Sequence, residues 1–473
     1  MENIIKNYKY HYIIFLIIVS PYIINDIYVY DDIFRMQKGY YGWIDDGRFL
    51  SEFFYKIMSL GANNIPDLYP IPLILSGVFF CFSFKRLTNL FNIENNLTSS
   101  LLMASLLSCP MLVSNFSFRY DGAFMILSMS FAILSLTVSK KNIYLNIIIS
   151  SILLSFSFST YQASVNIFIA LSSILFLFNA INKNNKLMSD LLVNMITVFI
   201  SYIIYSKFYL EIFEQSSYAS NFNKIIPFND DGINILLENL TLSFNVIKLI
   251  FTPVISIILL IIFSIFIINL ILNKKINLLL LVCLIITISV TILSSSGVIL
   301  FGVNAKFYPR VFMGLSVFFM LFPLIISFVS KNNSLINLCT LAISLPLILV
   351  NQTAINSIKN EINFSNQVSE YIYNDINALG LTSKENYHIS GTLKVTPNTR
   401  NNINAFPIIS HLIPKHFVNF YDGGRFTLMK NGFSNITYNK TKQNIINKHK
   451  PLRDNNIYSL YYINDTVYLI FKD

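Results

Sequence analysis

Long apolar runs recur along most of the chain and predict a protein built mainly of membrane-spanning helices. A helix needs roughly 20 predominantly apolar residues to cross a hydrocarbon core, with a range of about 17 to 25. By this criterion the sequence predicts eleven spans, near residues 12–29, 68–84, 98–115, 122–139, 143–159, 163–180, 189–207, 247–272, 276–293, 311–329 and 334–351. The first run lacks a small-residue cleavage site, so we expect a retained helix rather than a removed signal peptide.

The pattern changes after Asn351, where the apolar runs become short. Residues 354–379 carry apolar side chains at spacings of three and four, which predicts a helix. The stretch YHISGTL predicts a strand, and IYSLYYINDTVYLIF predicts a hairpin that turns at ND. The expected fold class is therefore a polytopic α-helical membrane protein, with a transmembrane domain over 1–351 and a small α/β domain over 352–473.

The positions of the basic residues predict the topology. Only 12% of residues are charged and the net charge is +10, with basic residues clustered after alternate apolar runs. Such loops face the cytoplasm, so we expect a cytoplasmic N-terminus and an outer-face domain after 351, in a bacterial inner membrane. The excess of positive charge then reflects topology and calls for no nucleic-acid partner. These residues are Lys6, Lys9, Lys85, Arg86, Lys140, Lys141, Lys183, Lys186, Lys274, Lys275 and Lys331.

The remaining connections, which this topology places on the outer face, carry most of the unusual polar residues. They are residues 30–67, 116–121, 160–162, 208–246 and 294–310. The chain has no glycine-rich phosphate loop and no Cys/His cluster, so we expect neither a cofactor nor a metal site. Four cysteines lie in or beside apolar runs, where thiols ordinarily serve packing.

Two adjacent aspartates, Asp31 and Asp32, follow the first predicted span, and Arg35, a candidate substrate-binding residue, follows them. They either mark the water boundary of the membrane or form a reactive carboxylate pair. Like charges in close reach raise one pKa, and a nearby arginine lowers the other. One of the two is therefore a candidate general base, and this pattern does not distinguish them.

The segment 44–60 predicts an amphipathic helix lying in the membrane interface, within the 30–67 loop. Asp45 and Asp46 stand near its start, where acids stabilise the positive end of the helix dipole. Capping is therefore one interpretation of this pair, and substrate binding is the other. Arg48 fits no capping role, and we interpret it as a candidate phosphate ligand.

Three further outer connections offer groups for a sugar phosphate. In NFSFRYDGAFM, Arg119, Tyr120 and Asp121 either form a tight loop or bind substrate, since arginine grips phosphate and aspartate accepts hydroxyl hydrogen bonds. In STYQAS the turn exposes Tyr161 and Gln162, which either pack between helices or bind hydroxyls. In VNAKFYPRVF the basic residues Lys306 and Arg310 are either headgroup anchors or a phosphate clamp.

The stretches YDDIFRMQKGYYGWIDDGRFLSEFF, FRYDGAFM and TYQAS, in this order, resemble the type II glucosyltransferases that modify bacterial O-antigen. The resemblance implies a C-type glycosyltransferase fold, an inverting transfer and a catalytic Asp in the first outer loop, here Asp31 or Asp32. It also implies a polyprenyl-phosphate-linked sugar donor, most commonly of glucose, and an O-antigen or other surface polysaccharide as acceptor. Membrane lipids, and the synthase and flippase of the donor lipid, are the further partners to expect.

Two other classes of protein also fit a polytopic chain with charges on one face. A lipid-linked oligosaccharide flippase would need polar residues lining a path through the membrane, and the predicted spans are nearly free of them. An O-antigen polymerase works on the same face and stays an alternative. A non-catalytic membrane scaffold would leave the cluster of acidic and basic residues without a purpose.

Overall fold

The computed structural model describes residues 2–138, 142–184, 187–213, 215–222, 224–273, 277–382, 384, 386–417, 423–433, 436–438 and 449–472. The basic residues Lys140, Lys141, Lys186, Lys274 and Lys275 therefore lie outside the described residues. Within these ranges the chain is mostly helical and ends in a small sheet.

Its helices are α1 (Glu2–Asn25), α2 (Tyr30–Lys38), α3 (Phe49–Met58), α4 (Ile71–Leu90), α5 (Asn96–Leu107), α6 (Leu112–Ser117), α7 (Gly122–Thr137), α8 (Ile143–Thr160), α9 (Val165–Ile181), α10 (Leu187–Ile204), α11 (Leu210–Ile212), α12 (Ser217–Phe222), α13 (Asp230–Ile247), α14 (Pro253–Leu272), α15 (Leu278–Leu293), α16 (Gly314–Val329), α17 (Asn333–Ala378), α18 (Pro397–Ala405), α19 (Ile409–Leu412) and α20 (Gly423–Lys430). A π-helical segment, Tyr205–Tyr209, extends α10, and short 3-10 turns occupy Gln162–Ser164, Lys248–Ile250, Gly297–Phe301 and Pro309–Val311. The strands are β1 (Asn386–Ser390), β2 (Thr437–Tyr438), β3 (Arg453–Asp454), β4 (Tyr458–Ile463) and β5 (Thr466–Phe471).

Several helices are long and apolar enough to cross a membrane. Among the described residues seven helices meet this criterion: Ile71–Leu90, Ile143–Thr160, Gln162–Ile181, Leu187–Ile212, Asp230–Ile250, Pro253–Leu272 and Asn333–Ala378. Four of the predicted spans correspond to shorter apolar helices, α5, α7, α15 and α16. The run at 98–115 is divided because Pro110 cannot continue the helix, so α5 ends at Leu107 and α6 starts at Leu112.

Two regions differ from the sequence prediction. The segment 208–246, expected as a loop, contains α13, which begins where the Asn229 side chain accepts a hydrogen bond from the Gly232 amide at 3.0 Å. The predicted span 334–351 and the predicted helix 354–379 are one helix of 46 residues, α17. The polar residues after Asn351 change the surface of this helix but do not interrupt its backbone.

The chain divides into two compact units. We call the first, Met1–Ile24, Tyr41–Asn63 and Leu68–Gln352, the apolar unit. We call the second, Asn25–Tyr40, Asn64–Asp67 and Thr353–Asp473, the C-terminal unit. In the apolar unit α7 packs against α4 and α8, and α9 packs against α15 and α16.

The C-terminal unit is built on a five-stranded sheet with the order β2-β1-β5-β4-β3. β1 runs parallel to β2 and β5, and the predicted hairpin is confirmed as antiparallel β4 and β5. Its turn residues Asn464 and Asp465 both have positive φ, 46° and 59°, as a two-residue type I′ turn requires. The end of α17 covers the sheet, with Ile372 and Ile376 packed in one core with Leu469.

Candidate active site

A cluster of charged and aromatic side chains lies in the apolar unit, and we call it the Arg48 cluster. Its members are Trp43, Asp46, Arg48, Asp121, Tyr161 and Arg310. A tight turn presents the first three, because the Trp43 carbonyl accepts from the amides of Asp46 at 3.2 Å and Arg48 at 2.8 Å. Gly47 has φ +73°, a conformation that favours glycine, so the turn depends on that residue.

Asp121 connects this turn to the start of α7. The Trp43 indole Nε1–H donates a hydrogen bond to Asp121 Oδ1, and both side chains are buried. The Arg48 guanidinium approaches the same oxygen at 3.8 Å and the Asp46 carboxylate at 4.0 Å. Asp121 thus anchors both the only tryptophan of the chain and the central arginine.

Tyr161 and Arg310 form the other side of the cluster. The Arg48 guanidinium carbon lies 4.8 Å from the centre of the Tyr161 ring, within cation–π range. The Tyr161 hydroxyl donates to the Arg310 carbonyl at 3.3 Å, and Asn115 Nδ2 donates to the same carbonyl at 3.1 Å. Burial raises the pKa of Tyr161, although Arg310 and Arg48 act in the opposite direction, so the hydroxyl keeps its proton.

The Arg310 guanidinium itself is turned towards aromatic rings. Its central carbon lies 4.8 Å from the Phe118 ring centre and 5.4 Å from that of Tyr308. Stacking on aromatic rings holds a planar guanidinium in place. Arg310 is therefore fixed in position by the rings of Phe118 and Tyr308.

Two polar atoms of this region have no internal partner. Within the part of the chain that the structure describes, Arg48 Nε and Asn115 Oδ1 are buried and make no hydrogen bond. An unmet buried donor or acceptor costs roughly 1–3 kcal/mol. Such groups are expected where a ligand completes the hydrogen bonding, and a guanidinium N–H fits an anionic oxygen.

Gln162 holds the backbone of the turn at Asp46 through hydrogen bonds. Its Nε2 donates to the Asp46 carbonyl at 3.1 Å and to the Tyr205 hydroxyl at 2.9 Å. The Tyr205 hydroxyl donates in turn to the Gly47 carbonyl at 3.1 Å. Both side chains therefore hold the backbone that presents Asp46 and Arg48.

The structure also places the other predicted residues of the apolar unit. The Arg119 guanidinium lies 4.6 Å from the Tyr69 ring centre, and Tyr120 is 2% exposed and packs against Tyr55. The side chains of Asp45 and Lys306 are exposed. The predicted amphipathic helix begins only at Phe49, so Asp45 and Asp46 belong to the preceding turn, and the acid in the first helical turn is Glu52.

Asp31, Asp32 and Arg35 belong to the C-terminal unit, on α2. Asp32 is fully buried, and its Oδ2 accepts from the Val29 amide at 3.1 Å, which caps the start of the helix. Asp31 is half-buried. Arg35 is buried, with its guanidinium carbon 5.7 Å from the Tyr40 ring centre. The two aspartates therefore have different environments although they are adjacent in sequence.

The structure adds residues that sequence reasoning missed: Trp43, Asn115, Phe118 and Tyr205. Trp43 carried a usable signal, since it is the single tryptophan and stands two residues before Asp45. Asn115 and Phe118 lie in the stretch NFSFRYDGAFM, where only the neighbouring Arg119, Tyr120 and Asp121 were predicted, and Tyr205 lies in an apolar stretch that gave no signal. Among the described residues, no three His, Cys, Asp or Glu side chains come together as metal ligands would.

Comparison with known proteins identifies the class of protein. The profile of the family described as "Glucosyl transferase GtrII" matches residues 21–322, which is more than half of the chain. This range contains the whole Arg48 cluster as well as α2. The chain belongs to this glucosyltransferase family, whose activity implies a sugar donor and a polysaccharide acceptor.

One relative extends the similarity to nearly the whole length of the chain. The chain is 26% identical over 473 residues to a protein of Salmonella phage P22 described as "Uncharacterized 55.3 kDa protein in gtrB 5'region". The similarity covers 97% of this chain and 96% of the relative. No solved structure matches.

Proposed function

We propose that this protein transfers a glucosyl group from a polyprenyl-phosphate donor to a lipid-linked O-antigen or related polysaccharide. The reaction takes place on the outer face of the bacterial inner membrane. Family membership supports the glucosyl transfer. The buried Arg48 Nε, which has no hydrogen-bond partner among the described residues, is the observation that supports an anionic donor.

The chemistry requires a base and a cation. The acceptor hydroxyl oxygen forms a bond to the anomeric carbon and loses its proton to a carboxylate. The bond from that carbon to the phosphate oxygen breaks, with inversion, and the lipid phosphate leaves with the electron pair. Arg48 donates Nε–H to the departing phosphate, and positioned donors of this kind lower the barrier as charge develops. Arg310, held on its aromatic rings, supplies a second guanidinium.

We assign the base to Asp31 rather than Asp32. Asp32 accepts a backbone hydrogen bond at the start of α2 and is fully buried, so a substrate hydroxyl would have to displace a structural contact. Asp31 is half-buried on the first turn of the same helix, where solvent reaches it. Asp121 is a weaker candidate because it already accepts from Trp43 and is paired with Arg48.

The proposal is tested by Arg48→Ala in membranes supplied with a labelled polyprenyl-phosphate glucose and O-antigen acceptor. We expect transfer to fall about 100- to 1,000-fold, the usual loss for one positioned donor to a developing anion. Arg86→Ala is the matched control, because Arg86 also lies over a ring, that of Phe82 at 5.8 Å, but on the exposed surface of α4. Equal activity of the two variants would contradict the proposal.

The lipopolysaccharide of a strain with and without this gene separates the alternative functions. Loss of a glucosyltransferase removes a side-branch sugar from the lipopolysaccharide and leaves its chain length unchanged. Loss of a polymerase shortens the chain, and loss of a flippase removes the polymer altogether. A changed chain-length distribution with normal glucose content would therefore indicate a polymerase rather than a glucosyltransferase.

A further inference from the structure

We propose that α20 is a positioning element for the transfer reaction, which holds α2 and thereby sets the place of Asp31. This inference rests on the proposed function, since it takes Asp31 as the base. It assigns a role to Phe426 and Gln37, neither of which carries reactive chemistry. Both helices belong to the C-terminal unit.

α2 is too short to hold its own conformation. It has nine residues, and isolated helices shorter than about 12–15 residues are marginal in water. Its N-terminal end is capped by Asp32 and its C-terminal end by Gly39, whose amide donates to the Arg35 carbonyl at 2.8 Å. Caps fix the ends of a helix but not where it lies, so its position depends on packing.

The packing partner is α20. The rings of Phe34 and Phe426 lie 4.6 Å apart between centres, and Gln37 Nε2 donates to the Phe426 carbonyl at 2.8 Å. At the other end of α20, Lys430 Nζ lies 5.0 Å from the ring centre of Tyr28, just before α2. Asp31 and Phe34 are three residues apart and are therefore neighbours on the surface of α2. The Phe426 contact is thus one turn away from the proposed base.

α20 is itself fixed to the core of the C-terminal unit. Leu428 is fully buried in the core cluster that contains the sheet residues Ile389 and Leu469. At the start of the helix, a Cβ on Gly424 would come within 2.9 Å of the Phe417 ring and 3.2 Å of Ile389, so an added side chain would force these neighbours to shift. One face of α20 therefore packs in the core of the C-terminal unit, and Phe426 contacts α2.

Catalysis depends on such placement because a shift of about 1 Å in a reacting group costs up to about 100-fold in rate. A loosened α20 contact would leave Asp31 present but misplaced. Turnover would then fall, whereas donor affinity would not, because α2 holds no group that we assign to the donor phosphate. This pattern distinguishes positioning from a general loss of folded protein.

The experiment compares Phe426→Leu with Phe433→Leu in the full-length protein. Phe426 and Phe433 are both 6% exposed, but Phe433 packs on Tyr373 and Tyr387 inside the core. We expect Phe426→Leu to lower kcat about tenfold or more at unchanged donor KM, and to speed amide exchange in residues 30–38. Phe433→Leu should do neither. Gln37→Ala, which removes one hydrogen bond and little packing, should lower kcat in the same direction by a smaller factor.

The inference and the proposed function fail in different ways. If Phe426→Leu and Phe433→Leu give the same kcat and the same exchange in residues 30–38, α20 has no positioning role. If Asp31→Asn keeps normal turnover, the base is wrongly assigned, and the role of α20 in placing it is overturned with it. Loss of turnover in Asp31→Asn with normal turnover in Phe426→Leu would retain the base and reject the positioning by α20.

Discussion

At the scale of single residues, the candidate site is a small group of charged and aromatic side chains in mutual contact. Arg48, Asp121, Tyr161 and Arg310 stood out in the sequence because charged and polar groups are rare in this chain, and the structure brings them together. Trp43 completes the cluster through its indole N–H, and its being the single tryptophan was the signal that the sequence offered for it. The sequence also could not separate Asp31 from Asp32, since only the backbone shows that Asp32 caps a helix.

The two aspartates should therefore respond differently to the same substitution. Asp31→Asn replaces the carboxylate at nearly constant volume, and losing a general base typically costs about 100- to 10,000-fold in rate. Asp32→Asn keeps an oxygen that accepts from the Val29 amide, so we expect a loss of less than about tenfold. The measurement is transfer of labelled glucose per unit of protein in the membrane. A larger loss in Asp32→Asn than in Asp31→Asn would transfer the base role to Asp32.

His416 should make the stability of the C-terminal unit depend on pH. Burial, together with Lys430, lowers the pKa of His416 from 6.5 to about 4. Between these values the unfolded chain binds a proton that the folded chain excludes, so stability falls as the pH drops from 6.5 towards 4. The loss amounts to about 3 kcal/mol at the lower limit.

Calorimetric unfolding of the detergent-solubilised protein between pH 4 and 7.5 measures this effect. His416→Gln, which cannot titrate, should flatten the slope in this window even if it lowers stability at neutral pH. Asp454 and Asp465, whose pKa values are lowered by Lys472 and Lys384, act only below their ordinary value near 3.8. An unchanged slope in His416→Gln would show that His416 is not the titrating group.

At the scale of elements, periodicity identified helices and strands more reliably than their ends. The strand at Asn386–Ser390 and the hairpin were confirmed because β-branched and aromatic runs flank turn residues there. The break at Pro110, the continuity of α17 and the existence of α2 were missed. Nine residues with two acids at the start resemble a polar loop in composition, and tertiary packing decides that they form a helix.

The junction of α6 and α7 should be intolerant of any side chain at Gly122. A Cβ there would lie 2.7 Å from the backbone carbonyl oxygen of Asn115, which cannot move as a flexible side chain would. Gly122→Ala should therefore displace the start of α7, next to Asp121, and disturb the Trp43 contact. We expect a lower melting temperature in detergent, by several degrees, from a loss of about 1–3 kcal/mol.

Tryptophan fluorescence gives a second measurement for this variant. Because the chain has a single tryptophan, its emission reports on the surroundings of Trp43, which include the Asp121 contact, and Gly122→Ala should shift it. Ala123→Gly is the control, since it changes the neighbouring position without adding a clash. Wild-type emission and melting temperature in Gly122→Ala would mean that the close approach of α6 and α7 relaxes without cost.

At the scale of the whole molecule, the segments that pack into one unit are not consecutive in the sequence. Residues 25–40 and 64–67 form one compact unit with residues 353–473, although most of the apolar unit separates them in sequence. Hydropathy could not reveal this, because it reports where the chain is apolar and not which segments pack together. The proposed base thus belongs to the unit that composition alone would describe as an appended domain.

The membrane topology of the chain depends on α13, which lies in the segment 208–246 that the sequence analysis predicted as an outer loop. Asp230–Ile250 is long and apolar enough to span, and a twelfth span would place the residues after 352 in the cytoplasm. Two features argue against a membrane-spanning α13. Glu238 is exposed on this helix, and a carboxylate facing lipid costs about 2.5–3.5 kcal/mol. A spanning α13 would also put Lys274 and Lys275 on the outer face, against the preference of basic loops for the cytoplasm.

We therefore expect α13 to lie along the outer surface, which sandwich fusions of alkaline phosphatase can test. The enzyme folds only in the periplasm, so insertions after Ile250 and after Gln352 should both be active. An insertion after Arg86, in a predicted cytoplasmic loop, should be inactive and serves as the control. If the insertions after Ile250 and Gln352 are inactive while a cytoplasmic reporter works at both sites, α13 crosses the membrane. Asp31 precedes α13 and would stay on the outer side, so residues 353–473 would lie across the membrane from residues 25–40, and the compact unit that these segments form would be excluded.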